Sequence, residues 1–194
     1  MTGTYEWNPM PHKLDVRCPS CHHLAQFEFA TIVRIRLKRD VDFFKESPLF
    51  DYKKLTDSCG HKWHAAIYYA GLHASSVSPI NNLPNGYTPE DWQSSSCCYH
   101  NNNEAGSIQC TQCNLRKKHQ LNWEHDAYYK VSYKGKLLWA FNRDSANELK
   151  KYIDSNDRNI DNYRWRNFLL HIPSVFKKKA ARDTVVKLLS KQLK

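Results

Sequence analysis

Gly106-Ser107-Ile108-Gln109-Cys110-Thr111-Gln112-Cys113-Asn114-Leu115-Arg116-Lys117-Lys118 is the most telling stretch of this 194-residue chain. It sets a C-x-x-C pair between two runs that read as the arms of a hairpin, Ser107 to Gln109 leading in and Leu115 to Leu121 leading out. A two-residue spacer lets both thiolates of a tight turn face one ion, with Zn–S near ~2.3 Å, while turn amides bond the sulfurs. A second pair of the same form, Cys18-Pro19-Ser20-Cys21, lies far upstream. Together the pairs predict one zinc site of four thiolates, Cys18, Cys21, Cys110 and Cys113, with no open position and hence a structural role.

The pairs stand 88 residues apart, whereas a compact ribbon separates them by roughly 15–20. Closing a longer loop costs entropy that grows only slowly with length, so a large insertion over 38–105 is acceptable. The seven cysteines, at 18, 21, 59, 97, 98, 110 and 113, leave a rival scheme of two mixed sites. One would use Cys18, Cys21, Cys59 and His61, the other Cys97 or Cys98 with His100, Cys110 and Cys113. An odd count with no secretory leader argues against a disulfide framework. A redox C-x-x-C usually opens a helix after a strand, but Cys21 is followed by His22-His23 and a strand-like run.

The charge is lopsided. Residues 1–100 carry ten basic and ten acidic groups, and residues 101–194 carry nineteen and nine, so the whole net charge of +10 sits in the second half. Arg116, Lys117 and Lys118 follow the second pair directly, and residues 176–194 hold seven basic groups against Asp183 alone. Clustered cations attract polyanions, chiefly nucleic acid. The expected phosphate contacts are Arg116, Lys117, Lys118, Lys177, Lys178, Lys179 and Arg182.

Other chemistries lack their residues. Six glycines are spread so widely that no G-x-G occurs, so a phosphate-cradling loop of the usual kind cannot be built. Neither a G-x-S-x-G elbow nor an H-E-x-x-H helix is present. The longest apolar stretch, Ala65 to Leu72, is far shorter than the ~20 residues of a membrane helix. With no basic-then-apolar leader at the start, the expected setting is the cytoplasm, away from membranes.

Along the chain, alternation predicts strand from about Ala25 to Leu37, broken near Ala30-Thr31, and again from Trp63 to Tyr69. Gly71 to Asn103 reads as a long loop. Ala127 to Tyr133 and Lys136 to Phe141 flank Lys134-Gly135 as a hairpin. Ser145-Ala146-Asn147-Glu148 reads as a capping box opening a helix, Tyr163 to Ile172 as a second helix stopped by Pro173, and Val185, Val186, Leu188, Leu189 and Leu193 as the apolar face of a third. The fold class is α+β: a zinc-ribbon-containing antiparallel sheet over 1–143, then a basic helical tail, 144–194, packed on it. Trp139 and Phe141 are expected in the core. Trp123-Glu124-His125-Asp126 offers His125 as the base of a His-metal nuclease, but its order is His-Asp and a hairpin follows, not a ligand-bearing helix.

From Gly106 to Trp123 and Asp126 to Tyr129, then through Gly135-Lys136-Leu137-Leu138-Trp139-Ala140-Phe141-Asn142-Arg143 and Ile172-Pro173-Ser174-Val175-Phe176, the chain resembles a family of uncharacterised bacterial zinc-ribbon proteins. Cys18-Pro19-Ser20-Cys21 and Trp63-His64-Ala65-Ala66-Ile67-Tyr68-Tyr69 extend the likeness. The resemblance implies a four-thiolate zinc site and a bacterial cytoplasmic setting, and it brings no activity. Cys59, Cys97 and Cys98 lie outside the matching pattern. The expected function is nucleic-acid binding, as an accessory factor of a defence, mobile-element or regulatory system. A protein-interaction subunit docking on a larger partner is the alternative.

Overall fold

The computed structural model describes residues 10–57, 59–73, 80, 82–97 and 104–194. Cys98, His100 and the side chain of Cys97, candidates for the second mixed metal site, lie outside the described residues. The architecture is mixed α+β, with antiparallel sheets and the longer helices towards the C-terminus. The strands are β1 (Lys13–Arg17), β2 (Leu24–Phe29), β3 (Thr31–Arg34), β4 (Phe50–Thr56), β5 (Lys62–Tyr68), β6 (Gln93–Ser94), β7 (Ala105–Gln109), β8 (Arg116–Gln120), β9 (Lys130–Tyr133) and β10 (Lys136–Trp139). The helices are α1 (Val41–Glu46), α2 (Ala70–His73), α3 (Arg143–Asp154), α4 (Arg166–Leu170), α5 (Ser174–Lys177) and α6 (Lys179–Gln192). Among the described residues three sheets form, with strand orders β1-β2-β7-β8, β4-β5-β3-β6 and β9-β10. The chain divides into two compact units, one of Gln26–Leu121 and one of Met1–Ala25 with Asn122–Lys194.

In the Gln26–Leu121 unit the predicted break near Ala30 is real, and its reason is topological. β2 pairs with β7 while β3, one residue on, pairs with β5 and β6. One continuous strand-like sequence therefore feeds two sheets. The stretch between the cysteine pairs builds the second sheet and covers one face with aromatics. Phe44 from α1 meets Phe50 and Tyr87 edge-on, each at 5.2 Å between ring centres, and Trp92 stacks on Phe50 at 5.4 Å. Ala30, Ile32, Leu55, Ala65, Ile67 and Tyr69 are buried in a second cluster. Burial on both faces explains why β5 reads as an apolar run instead of an alternating one. Phe50 itself opens β4.

In the other unit, β9 and β10 form the expected hairpin with Tyr133 opposite Lys136. Lys134 and Gly135 both take positive φ, 50° and 72°, which matches the twist of the flanking strands and favours glycine in the second place. Trp139 is fully buried, and Trp123, Phe141 and Phe168 gather round it at 5.1 to 5.8 Å. The helical tail packs on the hairpin: the Tyr133 hydroxyl donates to the Ala180 carbonyl and Gln192 Nε2 to the Lys130 carbonyl. Val185 and Leu189 of α6 are buried, as its periodicity requires.

The capping box is displaced by one turn. α3 starts at Arg143, and Asn142 is its cap, accepting the Ser145 N–H at 2.9 Å while Ser145 Oγ accepts the Asn142 N–H at 3.0 Å. Asn142 is the cap because its backbone stays extended outside the first turn, which lets its amide oxygen meet the third residue on while Ser145 reciprocates from inside the turn. Glu148 serves a different segment, accepting the backbone N–H groups of Arg164 and Trp165. Of the stretch read as one helix over 163–172, only α4 is helical, and a separate 3-10 turn at Ile160–Asn162 precedes it.

Candidate metal centre and cationic surfaces

The two C-x-x-C segments adopt the same local geometry. Each turns over the residues after its first cysteine, whose N–H donates to the carbonyl five positions on: Cys18 to His23 at 2.8 Å, Cys110 to Leu115 at 2.9 Å. The residue after each second cysteine is left-handed, His22 with φ 64° and Asn114 with φ 56°. Asparagine and histidine are among the side chains that tolerate this region. The register of β2 on β7 then brings the turns to one end of the sheet. Gln26 lies opposite Gln109, so the strand leaving the first turn runs beside the strand entering the second.

The sulfurs of Cys18, Cys21, Cys110 and Cys113 consequently all lie within 4.8 Å of one another. Cys18 and Cys110 are buried, and Cys21 and Cys113 lie nearer solvent. Four close cysteines from two matching turns are compatible with a metal site. The fit is quantitative: with M–S at ~2.3 Å, the edge of a regular tetrahedron of sulfurs is about 3.8 Å, so each pair needs to close by about 1 Å at most. A set of four thiolates leaves no position for water or substrate, and such a site braces a fold without taking part in a reaction.

Cys59 and His61 do not join that group. They stand with Asp57 in the turn between β4 and β5, where the three ligand atoms also lie within 4.8 Å. Here Asp57 Oδ1 accepts the N–H groups of Cys59 and His61 at 3.0 and 2.8 Å, which holds its carboxyl below the usual range. The carboxylate thus organises the turn. His64 is engaged by the Tyr52 hydroxyl. His125, the nuclease candidate, is exposed and belongs to no cluster of metal-ligating side chains among the described residues; Lys130 donates to its carbonyl, and the β9–β10 hairpin follows.

The expected phosphate contacts separate into three kinds. Arg116, Lys117, Lys178 and Lys179 are exposed and have no carboxylate partner among the described residues. Lys118 is committed: its Nζ reaches both oxygens of Asp51 at 2.7 Å and lies 5.0 Å above the Tyr69 ring. Burial, then Asp51, pushes the Tyr69 hydroxyl up to about 12. Lys177 and Arg182 turn towards their own unit. Lys177 sits 5.7 Å from the Tyr152 ring centre, its ammonium shifted down by burial and then by Arg158, and Arg182 donates to Asn156.

Comparison with known proteins gives no match: no family model, no curated protein and no solved structure is similar to this chain at a significant level. No helix among the described residues is long and apolar enough to cross a membrane. Two exposed cations escaped the sequence reading, Arg164 and Arg166, on either side of Trp165. The run Asn162-Tyr163-Arg164-Trp165-Arg166-Asn167 carried the signal, but assigning it to a helix interior hid it.

Proposed function

We propose that Cys18, Cys21, Cys110 and Cys113 hold one structural zinc ion in a ribbon-like arrangement of two knuckles, and that the chain binds nucleic acid through phosphate contacts. Four sulfur donors in a closed set suit zinc, with an iron–sulfur centre as the other chemistry of that geometry. One observation carries the binding: Arg116, Lys117, Lys178 and Lys179 are exposed cations with no carboxylate partner among the described residues. Unpartnered surface cations retain their full attraction for phosphates, whereas Lys118 would first have to leave Asp51. Contacts of this kind confer affinity with little choice of sequence.

Four phosphates neutralised on a duplex give a salt slope of about −3.6. Affinity should then fall about a hundredfold between 50 and 200 mM salt. Titrating a labelled duplex by anisotropy across that range tests it, and a flat response, or no binding at the lowest salt, rejects the reading.

A further inference from the structure

Pro11, Phe141, Arg164, Trp165, Arg166, Asn167 and Phe168 line a cleft of about 200 Å³. Its accessible aromatic wall is the Trp165 ring, backed by buried rings. Phe141 and Phe168 are buried with ring centres 5.1 Å apart, and the half-buried Trp165 lies 5.8 Å from Phe141. Its rim is cationic. Arg164 and Arg166 are exposed, and neither guanidinium has a carboxylate partner among the described residues. The segment is also fixed in place. Glu148 of α3 accepts the Trp165 N–H at 2.8 Å and the Arg164 N–H at 3.3 Å, so its charge is spent on backbone and the rim cations are left for a ligand.

The geometry points to a subsite for one nucleotide of a single strand, with the base against the half-buried Trp165 ring and the adjoining phosphates on Arg164 and Arg166. This rests on the nucleic-acid reading above and adds to it a contact that only strands with unpaired bases can make. Size argues for a polymer segment: 200 Å³ lies below the ~300–1,000 Å³ of a self-contained small-molecule pocket. Chemistry argues for the rest. A base stacks on an aromatic face whatever its sequence, and the guanidinium fork matches phosphate oxygens in two-point contact. A duplex keeps its bases stacked inside and cannot offer one to the wall.

Anisotropy titrations with a labelled 12-nucleotide single strand and a duplex of the same sequence, on the wild-type chain and an Arg164→Ala/Arg166→Ala variant, test the proposal. Both arginines are exposed, so the variant should fold, and circular dichroism checks that it does. The expected result is a loss on the order of tenfold for the single strand at ~0.2 M salt and a salt slope shallower by about 1.4, with unchanged duplex binding. Photocrosslinking an iodouracil-bearing strand to the wild-type chain should label the peptide containing 164–168. Unchanged single-strand affinity in the variant, equal weakening of single strand and duplex, or crosslinks confined to other peptides would each overturn the subsite while leaving general phosphate binding standing. Failure of the wild type to bind either probe at low salt would overturn both. Binding of a Glu-rich peptide, lost in the variant and with no oligonucleotide response, would reassign the cleft to an acidic protein and overturn the proposal.

Discussion

Replacing Cys110 by serine removes one of two buried sulfurs from the group of four. The sulfurs already lie within 4.8 Å, and an ion with bonds of ~2.3 Å needs edges of about 3.8 Å. Small side-chain rotations suffice, so the wild-type chain should take up one zinc per molecule without rebuilding its backbone. Structural zinc contributes roughly 10–16 kcal/mol of binding free energy at neutral pH. Shared among four ligands, one thiolate accounts for roughly 3 kcal/mol, and its loss should weaken metal binding by about two orders of magnitude. Elemental analysis after dialysis, with competition against a chromophoric chelator, should give one equivalent for the wild type and for Cys59→Ser, and a sharply reduced content for Cys110→Ser. Cobalt substitution should show thiolate-to-metal charge transfer in the first two only. Two equivalents in the wild type, full content in Cys110→Ser, or loss in Cys59→Ser would refute the single four-sulfur site.

Two further outcomes follow from the geometry. A methyl group on Gly106 would stand 2.3 Å from the Glu28 carbonyl oxygen and 2.3 Å from the Phe27 ring, so Gly106→Ala should cost about 1–3 kcal/mol in urea unfolding, and an unchanged midpoint would contradict the β2–β7 packing. The Thr88 N–H, and then Arg36, hold the Asp91 carboxyl below 3.8. Its stabilisation is therefore complete above 3.8 and lost as the pH falls through the lowered value; melts of Asp91→Ala against wild type should differ at pH 7 and converge in acid, and a difference constant with pH would exclude this origin.

How much of the centre was legible depends on the range of each cause. The C-x-x-C pairs are local: the spacer alone makes the turn, and His22 and Asn114 supply residues able to turn left-handed. The choice among ligand sets was not local. Seven cysteines allowed one site or two, and the β2–β7 register decided which sulfurs meet. The cap of α3 was misplaced because Ser145 and Asn142 both carry capping chemistry, and only the backbone path selects the residue left outside the first turn.

Sequence by itself determined the elements whose information is contained within a few residues: the two cysteine turns, the Lys134-Gly135 hairpin, the amphipathic face of α6 and the placement of all excess charge in the second half. Tertiary structure alone decided which cations remain available, since a lysine's partner is set by what folds beside it. Lys118 meets Asp51, 67 residues away along the chain, while Lys117 next to it, on the opposite face of the same strand, meets no carboxylate among the described residues. Charge is a property of composition, but its accessibility is a property of packing.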